Sequence, residues 1–276
     1  MEAFLIFLFF LLGLGIGSFL NVCIDRLPRN ESIVNPPSHC EACGHRLAAR
    51  DLVPLFSYLW LRGKCRYCGV SIPRKLFFVE LASGAICAFL CWKYVLSPES
   101  PELGALGAMI FYAALFIVVF MVDLEKGVIL NKVVYPAMAI AFILSVLEIQ
   151  LELPQSVLFQ WPVEGIANVA MGGGVGFLFF FVLAVASRGG MGWGDVKLAG
   201  LIGLATGFPM VLVAIVLGAG LGAIIGAILM VTKKKGRKSP IPFGPFLSVA
   251  TMVTLIWGYD ILNWYMGLNW HFGGVV

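Results

Sequence analysis

Long apolar stretches decide what this chain can fold into. Eight of them, at about 1–22, 76–96, 104–122, 128–147, 165–187, 196–207, 210–231 and 246–264, take up most of the 276 residues. A membrane-crossing helix needs about 20 predominantly apolar residues to match roughly 30 Å of hydrocarbon. The sixth stretch, 196–207, is too short for that. Only 12% of the residues are charged and 60% are hydrophobic, against about 25% charged in an ordinary soluble chain. A composition so poor in charge cannot cover a water-facing surface. A soluble enzyme, a disordered chain and a disulfide-stapled secreted domain are therefore excluded. The 32 Gly, 22 Phe and 10 Met suit helices packed closely in lipid. The expected fold is an all-α polytopic membrane protein of about eight transmembrane helices.

The charges orient it. The first stretch carries Glu2, has no basic residues ahead of it and no A-x-A cleavage site, and is followed by Arg26 and Arg29. It reads as a retained anchor with its N-terminus outside, not as a signal peptide. The cytoplasmic segments are then 23–75, 123–127, 188–195 and 232–245. Of the 19 Lys and Arg, all but Lys93 fall in those segments or within about a turn of them. The opposite side carries Glu2, Glu99, Glu102, Glu148, Glu152, Glu164 and Asp260. This places the chain in the cytoplasmic (inner) membrane, with the lipid bilayer as a partner. A net charge of +4 is too weak to imply nucleic acid. The run KKKGRK at 233–238 reads as an anchor beside anionic headgroups, or as a docking patch.

Only 23–75 is long enough for a separate cytoplasmic domain, and its five prolines favour loops and turns over long helices. Within it stand HCEACGH and KCRYCG, which set Cys40, Cys43, Cys65 and Cys68 as two C-x2-C pairs 21 residues apart. That is the spacing of a tetrahedral site for one structural zinc ion. Gly44 and Gly69 follow each pair, where a knuckle turn needs positive φ. Two disulfides are the alternative, disfavoured in a reducing cytoplasm. His39 and His45 could substitute as ligands, but four sulfurs already complete the shell. Cys23, Cys87 and Cys91 lie in or beside apolar stretches and read as small hydrophobes.

Acidic groups within or at the end of a span are costly and point to function. Asp123 ends the third stretch in FIVVFMVDLEKG, and Asp195 opens the sixth in SRGGMGWGDVKLAG. Glycines at 189, 190, 192 and 194 allow close backbone approach beside Asp195. Two carboxyls sharing a proton can activate water and protonate a carbonyl or leaving amine. With histidine only at 39, 45 and 271, a Ser-His triad has no obvious base. Helix capping is the plainer role for both aspartates. Lys197 reads as snorkelling to the interface, or as tuning Asp195. Glu80, early in the second stretch, and the acids Asp25 and Glu125 could meet a basic substrate, or could be paired or solvated.

GMGWGDVKLAG resembles the G-x-G-D-x-K signature of the membrane-embedded aspartic peptidases that process type IV prepilins. VDLEKGVILN resembles that family's first-aspartate motif. GSFLNVCIDRLPR, the two C-x2-C pairs, DLVPLFSYLWLRGKCRYCG, FFVELASG and IPFGPF resemble further family segments, in the family's order, from about residue 16 to 247. The resemblance implies a bifunctional enzyme acting on type IV prepilins or pseudopilins at the cytoplasmic membrane face. It would cleave the leader after Gly with Asp123 and Asp195. It would then N-methylate the new terminus with S-adenosylmethionine, an activity the family associates with the cysteine-bearing loop. Expected boundaries are an anchor at 1–22, a tetracysteine zinc domain at 23–75 and a peptidase domain at 76–276. Leu130 stands where the family usually has Pro, and Leu52 where it commonly has Asn. No Gly-rich strand–helix motif is available to place the methyl donor. Two other classes remain: an ion- or proton-coupled transporter, and a non-catalytic zinc-loop scaffold of a pilus or type II secretion machine.

Overall fold

The computed structural model describes residues 2–97, 101–150, 165–187, 190–232 and 242–267, with the side chains of 148–150 left aside. Arg188, Gly189, the basic run 233–238, His271, and the acids Glu99, Glu148, Glu152 and Glu164 fall outside the described residues or side chains. Among the described residues the fold is helical, with two isolated β-bridges and no strand. The helices are α1 (Glu2–Arg26), α2 (Phe56–Trp60), α3 (Arg74–Cys91, continued by a π-helical turn to Leu96), α4 (Leu103–Lys126), α5 (Asn131–Gln150), α6 (Ile166–Ala186), α7 (Trp193–Thr206), α8 (Met210–Val231) and α9 (Gly244–Met266). All except α2 coincide with the eight apolar stretches. α1, α3, α4, α6, α8 and α9 are long and apolar enough to cross a membrane. The chain divides into two compact units, residues 1–122 and 123–276.

In the first unit, α1 lies against α3. The buried side of α1 runs through Gly13, Leu14, Gly17, Leu20, Asn21 and Ile24, a stripe at three- and four-residue spacing. Gly13 and Gly17 set the distance. A Cβ on Gly13 would lie 2.5 Å from the Ser83 carbonyl oxygen, and one on Gly17 would lie 2.7 Å from Glu80 Cα. This is the small-residue contact by which membrane helices approach without a hydrophobic driving force. Polar links secure one end. Asn21 Nδ2 donates to the Leu76 carbonyl at 3.0 Å, and Lys75 meets Asp25 at 2.6 Å. Asp25 is thus a helix-pairing residue.

The second unit is built around α7. Nine of its 14 residues are buried, and α5, α6, α8 and α9 all pack on it. At about 1.5 Å per residue it rises only about 21 Å, so neighbouring helices complete the thickness it cannot span. α6 comes closest, with Gly172 and Gly176 meeting the backbone of Gly203 and Ala199 so tightly that no side chain would fit.

Candidate active site and metal centre

Asp123 lies one turn from the end of α4 and Asp195 in the first turn of α7. Both belong to the second unit, although 72 positions separate them in the sequence. Asp123 is only 4% exposed. Its Oδ2 accepts the backbone N–H of Gly244, the first residue of α9, at 2.8 Å. Asp123 therefore caps a helix that is not its own. The capping role is thus filled toward α9 by a candidate catalytic residue.

Gly244 belongs to the segment IPFGPF, to which the sequence alone assigns no role. A Cβ there would lie 2.6 Å from Asp123 Oδ2, so glycine at 244 is what lets the α9 backbone reach the carboxylate. Pro245 directly after it suits the first turn, where a missing N–H costs nothing. The only sequence hint of this contact is the Gly-Pro pair at a helix start.

On the Asp195 side, a Cβ on Gly194 would lie 2.9 Å from Ile129 Cβ. The loop after Asp123 is thus in contact with the turn before Asp195. A second tie reinforces it: Lys197 Nζ donates to Asn131 Oδ1 at 3.0 Å and lies 5.3 Å from the centre of the Tyr135 ring. Lys197 joins α7 to the start of α5. Glu125 is exposed. Glu80 belongs to the first unit, where Oε2 accepts the backbone N–H of Leu55 at 2.8 Å.

Also in the first unit, the four cysteine sulfurs lie within 4.8 Å of one another. Cys40 and Cys68 are 3.8 Å apart, close to the ~3.8 Å edge of a tetrahedron built on Zn–S bonds of about 2.3 Å. Two matching turns produce this. The Cys40 N–H donates to the His45 carbonyl and the Gly44 N–H to the Cys40 carbonyl. The Cys65 N–H donates to Val70 and the Gly69 N–H to Cys65 in the same way. Gly44 and Gly69 have φ of +68° and +73°, the left-handed conformation expected of them. Donor type, number and spacing all fit a metal ion.

Asp51 ties the loop together. Its side chain is 3% exposed and receives Arg66 Nε at 2.6 Å, Tyr67 OH at 3.0 Å and the Ala48 N–H at 3.2 Å. Arg66 and Tyr67 lie between the cysteines of the second pair, and the Tyr67 ring also meets that of His45 at 3.7 Å. The buried carboxylate thus holds the second knuckle directly, and Tyr67 carries the link on to His45 of the first. The Arg66 guanidinium holds it below the usual carboxylate range.

Comparisons with known proteins identify the family. Residues 11–94 match the Bacterial Peptidase A24 N-terminal domain, and residues 109–227 match the Type IV leader peptidase family. A Stutzerimonas stutzeri protein named prepilin leader peptidase/N-methyltransferase is 29% identical, covering 92% of this chain and 91% of its own. Proteins of the same name from Bacillus subtilis (28% identical; 93% and 96% covered) and Aeromonas hydrophila (29%; 94% and 93%) are similarly close. No solved structure matches the chain. With both domains matched in order and relatives aligned almost end to end, the chain belongs to the type IV leader peptidase family.

Proposed function

We propose that this chain removes the leader of type IV prepilins or pseudopilins after Gly at the cytoplasmic face of the inner membrane, and then methylates the exposed amino terminus. The observation that carries the reading is that Asp123 and Asp195 fall in one unit, with the loop after Asp123 in contact with the turn that carries Asp195, in a chain from this peptidase family. Family membership favours it over a transporter or a passive scaffold.

Two neighbouring carboxyls resist double ionisation, so one carries a proton while the other is charged. The ionised aspartate takes a proton from water as its oxygen attacks the glycine carbonyl. The protonated one donates to the carbonyl oxygen. When the tetrahedral species collapses, the C–N bond breaks and the amine leaves with a proton from the dyad. Gly244 holds one carboxylate in place, and the Ile129–Gly194 and Lys197–Asn131 contacts hold the other. A prepilin joins a basic leader to an apolar helix, so its scissile bond lies at the membrane surface. That is where the ends of α4 and α7 lie in the proposed topology.

Residues 1–22 serve as anchor, 23–75 as the methyltransferase-associated domain and 76–276 as the peptidase. Cys40, Cys43, Cys65 and Cys68 would hold one structural zinc ion, which would join the two knuckles. S-adenosylmethionine supplies the methyl group when bound.

The peptidase reading is tested with Asp123→Asn and Asp195→Asn in membranes carrying a prepilin. Each substitution abolishes leader removal while the protein remains inserted and keeps its metal. Cleavage at the wild-type rate by either variant refutes the dyad.

A further inference from the structure

The run LVPLFSYLWL, residues 52–61, contains no charge and lies between Arg50–Asp51 and Arg62. Ten such residues are too few to cross a bilayer, and a run of that length suits a segment at its interface. The structure supplies the depth. The Leu55 N–H bonds Glu80, six residues past the start of α3 and so about 9 Å along its axis. Tyr58 packs on Phe77 with ring centres 5.3 Å apart. α2 therefore lies beside the first two turns of a helix long and apolar enough to cross a membrane, not in the water beyond it.

The other face of α2 is uncovered within its unit. Phe56 and Leu59 are more than half exposed and Trp60 is 83% exposed, at the i, i+3 and i+4 positions of a single stripe. Phe78 of α3, next to the Phe77 on which Tyr58 packs, is also more than half exposed. Arg62 and Lys64 follow directly in sequence, placing cations where headgroups would lie. Tryptophan beside cations at the end of a span is the usual composition of a membrane interface.

We propose that residues 52–61 dip into the bilayer that α3 crosses, with Phe56, Leu59 and Trp60 against acyl chains and Arg62 and Lys64 at anionic headgroups. The proposal rests on the reading of α3 as a membrane span. Glu80 is the fastener: it satisfies the N–H of Leu55, which has φ of +59°, a conformation an unsupported leucine rarely keeps. Because Cys65 follows four residues after Leu61, the metal knuckles are held down on the membrane surface.

The test places the photoreactive residue p-benzoylphenylalanine at positions 59, 60, 78 and 34, one at a time. The full chain is reconstituted in vesicles of phosphatidylethanolamine and phosphatidylglycerol, and adducts are read by mass spectrometry. Phe78 reports on the span and Val34, a largely exposed loop residue, on the aqueous part of the loop. Bound zinc per chain confirms that each variant is folded. The expected result is phospholipid adducts at 59, 60 and 78, with at least tenfold less at 34. Lipid adducts at 78 but only protein adducts or none at 59 and 60 overturn the proposal and leave the span intact. Absence of lipid adducts at 78 as well overturns both.

Discussion

Gly244 shows how narrowly the candidate dyad is held. Its N–H reaches Asp123 only because no side chain intervenes, so Gly244→Ala should move α9 off the carboxylate. A hydrogen bond to a charged group is worth roughly 1.5–3 kcal/mol, so kcat for leader removal should fall about ten- to a hundredfold. Binding of a prepilin should change little. An alanine variant with unchanged kcat would show that the contact does not position Asp123. Asp51 supports a prediction of a different kind. Pairing with Arg66 lowers its carboxyl below the ordinary value, so the stability it contributes is fully present above the unfolded-state value. That stability is lost as pH falls through the lower folded-state value. With the metal kept bound, the part of the loop's stability due to Asp51 should therefore fall away below roughly pH 4, and Asp51→Asn should flatten that part of the pH dependence.

At the scale of elements, packing of α1 on α3 depends on Gly13 and Gly17. Gly17→Leu forces a side chain into the Glu80 backbone, an overpacking that typically costs about 1–3 kcal/mol. The midpoint of thermal unfolding should drop measurably, and an unchanged midpoint would contradict the close contact. Much of this architecture was legible in the sequence because long apolar runs and C-x2-C spacing are local signals. The seven long helices, the short α7 and the left-handed Gly44 and Gly69 all lie where the pattern puts them. The contacts that were missed are those between distant segments. Nothing local says that the N–H of Gly244 bonds Asp123, that Glu80 bonds Leu55, or that Lys197 reaches Asn131. α2 escaped notice for a different reason: five residues after a proline carry too little periodicity to announce a helix.

For the whole molecule, the two units imply activities that can be separated. The two candidate catalytic aspartates belong to residues 123–276 and the four cysteines to residues 1–122. Cys40→Ser removes one of four thiolates, so metal content should drop and methylation should be lost first, with cleavage retained. Full zinc content in that variant would refute the metal assignment. The most direct test of the account is a mass spectrum of a prepilin incubated with the purified protein and S-adenosylmethionine, with Asp195→Asn in parallel. The predicted product from the wild type is truncated after Gly and heavier by one methyl group, while the variant leaves the precursor whole. Truncation by Asp195→Asn, or an untouched precursor with the wild type, would contradict the account.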